Sequence, residues 1–177
     1  MSTEPGSTRA RGRELALLAL CHLESYEADE REQALALLWN NAPVAGEEDA
    51  EWGPGMEALL SDDGARRFAD ELLADLLAHW AGTDEAIESA SDRWRLERID
   101  RIERNVLRLA ACELAHRRGT PRAAVVSEAV RLAERYGGER SARFVNGLAE
   151  TLARRLRDPE EAAPEAAPEA ATEGSDD

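Results

Sequence analysis

The sequence predicts an all-α fold of about seven helices, and three observations carry that expectation. Alanine, leucine, glutamate and arginine dominate, and aromatic residues make up only 5% of the chain. Apolar residues recur at the three-to-four spacing of a helix, while few stretches alternate apolar with polar as half-buried strands do. At 177 residues the chain is one domain long and can bury a sizeable core.

Residues 1–8, rich in Gly, Pro, Ser and Thr, are expected to be a disordered lead. A first helix is predicted near Arg9 to Ser25; its centre LALLALCHL is apolar on most faces, which suits a central position or contact with a partner. A second, near Asp29 to Asn41, stops at NNAP because Pro43 blocks continuation. An acidic loop over about residues 43–63 follows, broken by Gly and Pro. From Ala65, the residues Phe68, Leu72, Leu73, Leu76 and Trp80 share helical spacing and predict a core-facing helix. Thr83 is placed to cap a shorter helix near Asp84 to Asp92.

Beyond Trp94, one stripe of Ile99, Ile102, Val106, Leu109 and Leu114 gives the strongest amphipathic signal. Thr120 and Pro121 read as a cap and a first-turn proline, and Gly137-Gly138 closes that helix with a left-handed terminus. The last helix is predicted from about Glu139 to Arg157. Residues 158–177 repeat an EAAP-like unit with no side chain worth burying, so a disordered acidic tail is expected.

Nothing in the sequence points to catalysis. His22, His79 and His116 fall on three predicted helices, and Cys112 with His116 makes a pair of potential ligands rather than a metal site. No glycine-rich loop follows a strand, and no acid and base pair is singled out, so neither enzyme activity nor a metal or cofactor is expected. Cys21 and Cys112 lie far apart in apolar helical contexts, as buried thiols of a reducing cytoplasm do. No signal-like segment is present, and no apolar run approaches the roughly 18 to 20 residues that span a bilayer. A soluble cytoplasmic protein is the expectation.

All 22 basic residues are arginines, which coding bias explains as well as function does, and the net charge is −15. That acidity is unevenly spread: residues 24–63 carry −11 and residues 158–177 carry −8, whereas 1–23 and 64–157 carry +1 and +3. The predicted helical body is therefore mildly basic, so an acidic total does not exclude nucleic acid.

The last helix carries the most informative stretch, ERSARFVNGLAETLARR (Glu139 to Arg155). At 100° per residue, Ser141, Val145, Leu148, Leu152 and Leu156 face the core. Phe144 sits about 100° away, near Arg140, Gly147 and Thr151 and flanked by Arg143 and Arg154. An aromatic ring among guanidinium groups can stack on an unpaired base while the arginines hold phosphate. Packing of Phe144 against a neighbouring helix is the competing reading. Gly147 costs about 1 kcal/mol relative to alanine in a helix interior, which a close approach by a helix or a ligand would offset.

Ser141-Ala142-Arg143-Phe144-Val145-Asn146-Gly147, preceded by the Val126 to Gly137 helix, resembles the C-terminal signature of the NusB family of bacterial transcription antitermination factors. RARGREL with ALLAL (Arg9 to Leu20), RIERNVLRLAACEL (Arg101 to Leu114) and GTPRAAV (Gly119 to Val125) match further pieces in order. The resemblance covers residues 9–157 and implies two small packed helical subdomains without catalysis. It also implies pairing with NusE, a small-subunit ribosomal protein, to hold boxA-type single-stranded RNA of nascent ribosomal transcripts, and so an indirect tie to the elongating RNA polymerase.

Carried over by position, the resemblance assigns Arg9, Arg11 and Arg13 to an N-terminal basic group near RNA. It assigns Arg143 and Phe144, with Ser141 and Asn146 beside them, to the RNA-proximal region. Glu103 corresponds to an acidic position on the NusE side, although a solvated carboxylate among arginines is an equal reading. Cys21 stands at the NusE-facing position where the family usually has tyrosine, and Leu18 where it usually has glutamine. Arg140 replaces a common acidic residue and adds positive charge beside Phe144, provided Glu139 does not neutralise it. The acidic segments and the missing tyrosine motivate a second reading, a divergent protein-interaction module that no longer binds RNA.

Overall fold

The computed structural model describes residues 7–40, 59–91 and 94–157, and these are helical throughout, with no strand among them. Seven α-helices follow in order: α1 Thr8–Leu23, α2 Arg31–Asn40, α3 Asp63–Ala78, α4 Trp80–Ala90, α5 Arg101–His116, α6 Arg122–Gly137 and α7 Glu139–Arg157, with a 3₁₀ turn Leu96–Arg98 before α5. Most of the expected acidic loop, the start of the expected lead and the whole expected tail lie outside the described residues.

Local signals differ from expectation at four helix starts. Ser7 accepts a hydrogen bond from the Ala10 amide at 3.2 Å, so α1 begins inside the segment expected to be disordered. Asp62 caps α3 by accepting from the Ala65 amide at 3.0 Å, and Leu59 is already in the core, so the end of the acidic segment is packed rather than looped. Thr83 does not cap α4. That helix starts a turn earlier, at Trp80, and Thr83 is buried within it. Thr120 is also buried, and α6 begins after Pro121 with no side-chain cap. In both cases burial of the threonine outweighs its local capping tendency. The far end of α6 follows the sequence: Gly138 has φ +85°, a left-handed conformation that glycine adopts without a Cβ penalty.

Two subdomains pack on one continuous core. In the first, α1 lies against α3, with α2 alongside α1. A Cβ on Gly12 would come within 2.7 Å of Phe68 Cδ1 and 2.8 Å of the Ala65 carbonyl oxygen, so glycine permits this close crossing. In the second, α6 and α7 pack on each other and on α5. Leu15, Leu20, Leu72, Leu76, Leu107, Leu114, Leu132 and Leu152 are fully buried along the shared core. Cys112 is buried there too, and burial pushes its thiol up to about 12, so it remains a protonated packing group.

Arginines join the subdomains. Arg13 of α1 grips Glu113 of α5 through Nε–Oε1 at 2.6 Å and Nη2–Oε2 at 2.7 Å, in the interior. Glu24 accepts from Arg104, from Arg108 at 2.9 Å and from Asn105 at 3.2 Å. Burial pushes the Glu24 carboxyl up, but the Arg104 hydrogen bond and the charges of Arg104 and Arg108 outweigh it and hold the group below its usual range. Trp80, expected on the α3 stripe, instead opens α4, with the Arg31 and Arg108 guanidinium groups 3.8 and 4.6 Å from its ring centre. At the C-terminal end of α5, Arg157 donates to the carbonyls of Leu114 at 2.6 Å and of Glu113, Arg117 and Thr120 at 3.1 Å. It thereby closes a helix end that leaves carbonyls unpaired.

Candidate nucleic-acid interface

The α6–α7 corner fixes the candidate site. A Cβ on Gly137 would come within 2.6 Å of Ser141 Oγ and 2.7 Å of its Cβ, so a larger residue there would displace Ser141. This tight turn sets the first turn of α7 beside the 3₁₀ turn and the start of α5. An open cleft of about 230 Å³ results, lined by Trp94, Arg98, Glu103, Arg140, Ser141 and Phe144, among others.

Phe144 is half-buried and meets the half-exposed Trp94 edge-on, with ring centroids 6.4 Å apart and planes at 89°. The ring thus packs in part on the protein, as the competing reading expects, and in part lines the cleft. Trp94 is the residue that sequence reasoning missed. Nothing local to it in the sequence shows that it meets Phe144, fifty positions away.

Arg140 is exposed in the cleft and makes no hydrogen bond or ion pair among the described residues. Glu139 pairs instead with Arg143, one helical turn on, and both side chains are about three-quarters exposed. Such a pair is weak and readily exchanged for another anion. Asn146 is exposed on the opposite flank of α7. Ser141 lines the cleft but is only 7% exposed, so it serves mainly to pack the corner. Glu103 is half-buried in this same cleft beside Arg140, Ser141 and Phe144 and has no cationic partner among the described residues.

The N-terminal arginines divide. Arg9 is exposed; Arg11 is paired with Asp62 at the start of α3. Arg13 corrects the expectation: it is 5% exposed and spent on Glu113, with its guanidinium 5.1 Å from the Phe68 ring centre, so it belongs to the interior rather than to a nucleic-acid surface. None of the three lines the cleft. Cys21 is half-buried with its sulfur 3.5 Å from Asn105 Nδ2, and its carbonyl accepts from Arg101, so it faces α5 more than solvent. Burial also pushes the Cys21 thiol up. Among the described residues no group of three or more His, Cys, Asp or Glu is arranged to hold a metal, and no helix is long and apolar enough to cross a membrane.

Comparisons with known proteins agree with this architecture. A transcription antitermination protein NusB of Sorangium cellulosum is 39% identical over 148 residues, 84% of this chain and 93% of the relative. Its counterpart in Myxococcus xanthus is 39% identical over 151 residues, covering 85% and 98%. The crystal structure of T. maritima NusB superposes with a TM-score of 0.65 at 26% identity, covering 92% of this chain and all of that one. A chain from a structure described as a plectonemic RNA supercoil aligns with a TM-score of 0.66 over 85% of this chain and 96% of that one; at 22% identity it speaks to the fold alone. The NusB family profile matches residues 10–154, and the chain belongs to the NusB family.

Proposed function

We propose that this protein is a transcription antitermination factor that binds boxA-type single-stranded RNA of nascent ribosomal transcripts together with NusE, and through that complex acts on the elongating polymerase. The observation that carries this reading is the cleft, where Arg140, unpaired among the described residues, stands beside the exposed part of Phe144. Stacking of an unpaired base on an aromatic ring and charge-assisted contact to phosphate are what such a pair supplies. Arg143 and Asn146 extend the contact on α7, Arg9 offers a further cation on α1, and Glu103 and Cys21 are the residues this reading assigns to NusE. No bond-making chemistry is assigned, and the reading needs no metal or cofactor.

The test is the binding of a boxA-like oligoribonucleotide with and without NusE across a salt series. The expected result is tighter binding in the presence of NusE and an affinity that falls steeply as salt rises. Absence of binding at low salt in both conditions contradicts the proposal and favours the protein-interaction reading.

A further inference from the structure

The outer face of α7 has a pattern that the cleft does not use. Arg140, Gly147 and Arg154 are seven residues apart and drift only about 20° per step, so they lie nearly in line over about 21 Å of helix. Arg143 lies on the same face, about 40° from that line. All four positions are exposed. Among the described residues, neither Arg140 nor Arg154 has a carboxylate partner; Arg154 only donates to Thr151 Oγ1 at 3.4 Å. Glu150 lies at the edge of this face and pairs with neither.

Gly147 sits in the middle of the line. A Cβ built there meets nothing within 4 Å, so packing within the described chain does not require glycine at this position. Glycine is nevertheless among the poorest residues for a helix interior. What it provides here is bare helix backbone between arginines, open to close approach from outside.

We infer that the strand held at the Phe144 cleft continues along α7, its phosphodiester backbone passing over Gly147 from Arg140 to Arg154. The inference rests on the RNA-binding reading above and extends its site by nearly three helical turns beyond the aromatic pair. The occupant is nucleic acid rather than protein because the line offers cations and exposed backbone but no apolar anchor of the kind protein interfaces bury. Arg154 acts as a phosphate contact and Gly147 as clearance for the strand.

The experiment compares two RNAs, a boxA-like oligonucleotide and the same sequence extended at either end, in the presence of NusE. Gly147→Gln improves helix propensity and puts a side chain in the path. It is expected to raise the thermal midpoint while weakening the extended RNA about tenfold. Arg154→Ala is expected to weaken the extended RNA several-fold more than the short one and to reduce its salt slope by about one. If both variants bind both RNAs as the parent does, the path over α7 is overturned and the cleft reading stands. A parent that binds neither RNA removes the cleft reading and this inference with it.

Discussion

Arg13 and Glu113, one hundred positions apart, meet in the interior through two parallel hydrogen bonds of 2.6 and 2.7 Å and tie the first helix to the central one. Breaking a buried pair from one side leaves an uncompensated charge, so Arg13→Ala should cost about 3 to 5 kcal/mol of unfolding free energy. Replacing both partners with apolar residues, as in Arg13→Met with Glu113→Leu, should recover much of that loss. Chemical denaturation of the single and double variants checks this. Equal losses in the two would argue against a paired interior role.

Arg157 makes the corresponding prediction at the same, C-terminal end of α5. Arg157→Ala removes several charge-assisted hydrogen bonds to the carbonyls of the α5 terminus and its turn. A loss of about 2 kcal/mol is expected. Arg157→Lys should recover only part of it, because an ammonium lacks the planar fork that reaches several carbonyls together. Full rescue by lysine would show that charge alone accounts for the contact.

Acid sensitivity is expected near neutrality. The rings of His79 and His116 stack with centroids 3.9 Å apart. Burial first, then the neighbouring His79, lowers the His116 pKa below its ordinary 6.5, against the opposing effect of Asp75. The unfolded chain therefore takes up this proton at a higher pH than the folded one. Stability from this group is present above about pH 6.5 and is lost as pH falls through the depressed folded value. Thermal melts over that window should show a small decline that shrinks in His116→Gln. The same decline in the variant would assign it elsewhere.

These particulars show how far the sequence could be read. The extent of α7, the residues it buries and its left-handed glycine entry follow from periodicity and turn chemistry, which are local properties. The fate of arginines is not local. Arg13 and Arg143 look alike in sequence, yet one is buried on Glu113 and the other lies three-quarters exposed, because the partner is supplied by tertiary packing. The role of Trp94 is not legible locally for the same reason, since its contact with Phe144 exists only once the connection before α5 is folded against α7. Thr83 and Thr120 carry genuine capping chemistry, but their burial overrides it.

Salt dependence separates the arginines of the interface. Arg140→Ala should weaken RNA binding and lower the salt slope by about one, because among the described residues Arg140 has no partner to give up. Arg140→Asp should weaken binding further by adding repulsion. Neither change should move the thermal midpoint appreciably, since the residue is exposed. Unaltered RNA affinity in Arg140→Asp would exclude this part of α7 from the interface.

On the proposed function, the Phe144 face of α7 holds single-stranded RNA. The most direct measurement of this is the affinity of a boxA-like RNA for the parent protein and for Phe144→Ala with Arg140→Ala, in the presence of NusE and under conditions where both proteins are folded. A loss of about 2 to 4 kcal/mol of binding free energy is predicted, from base stacking and a charge-assisted phosphate contact together. Equal affinity in the two proteins would contradict the account.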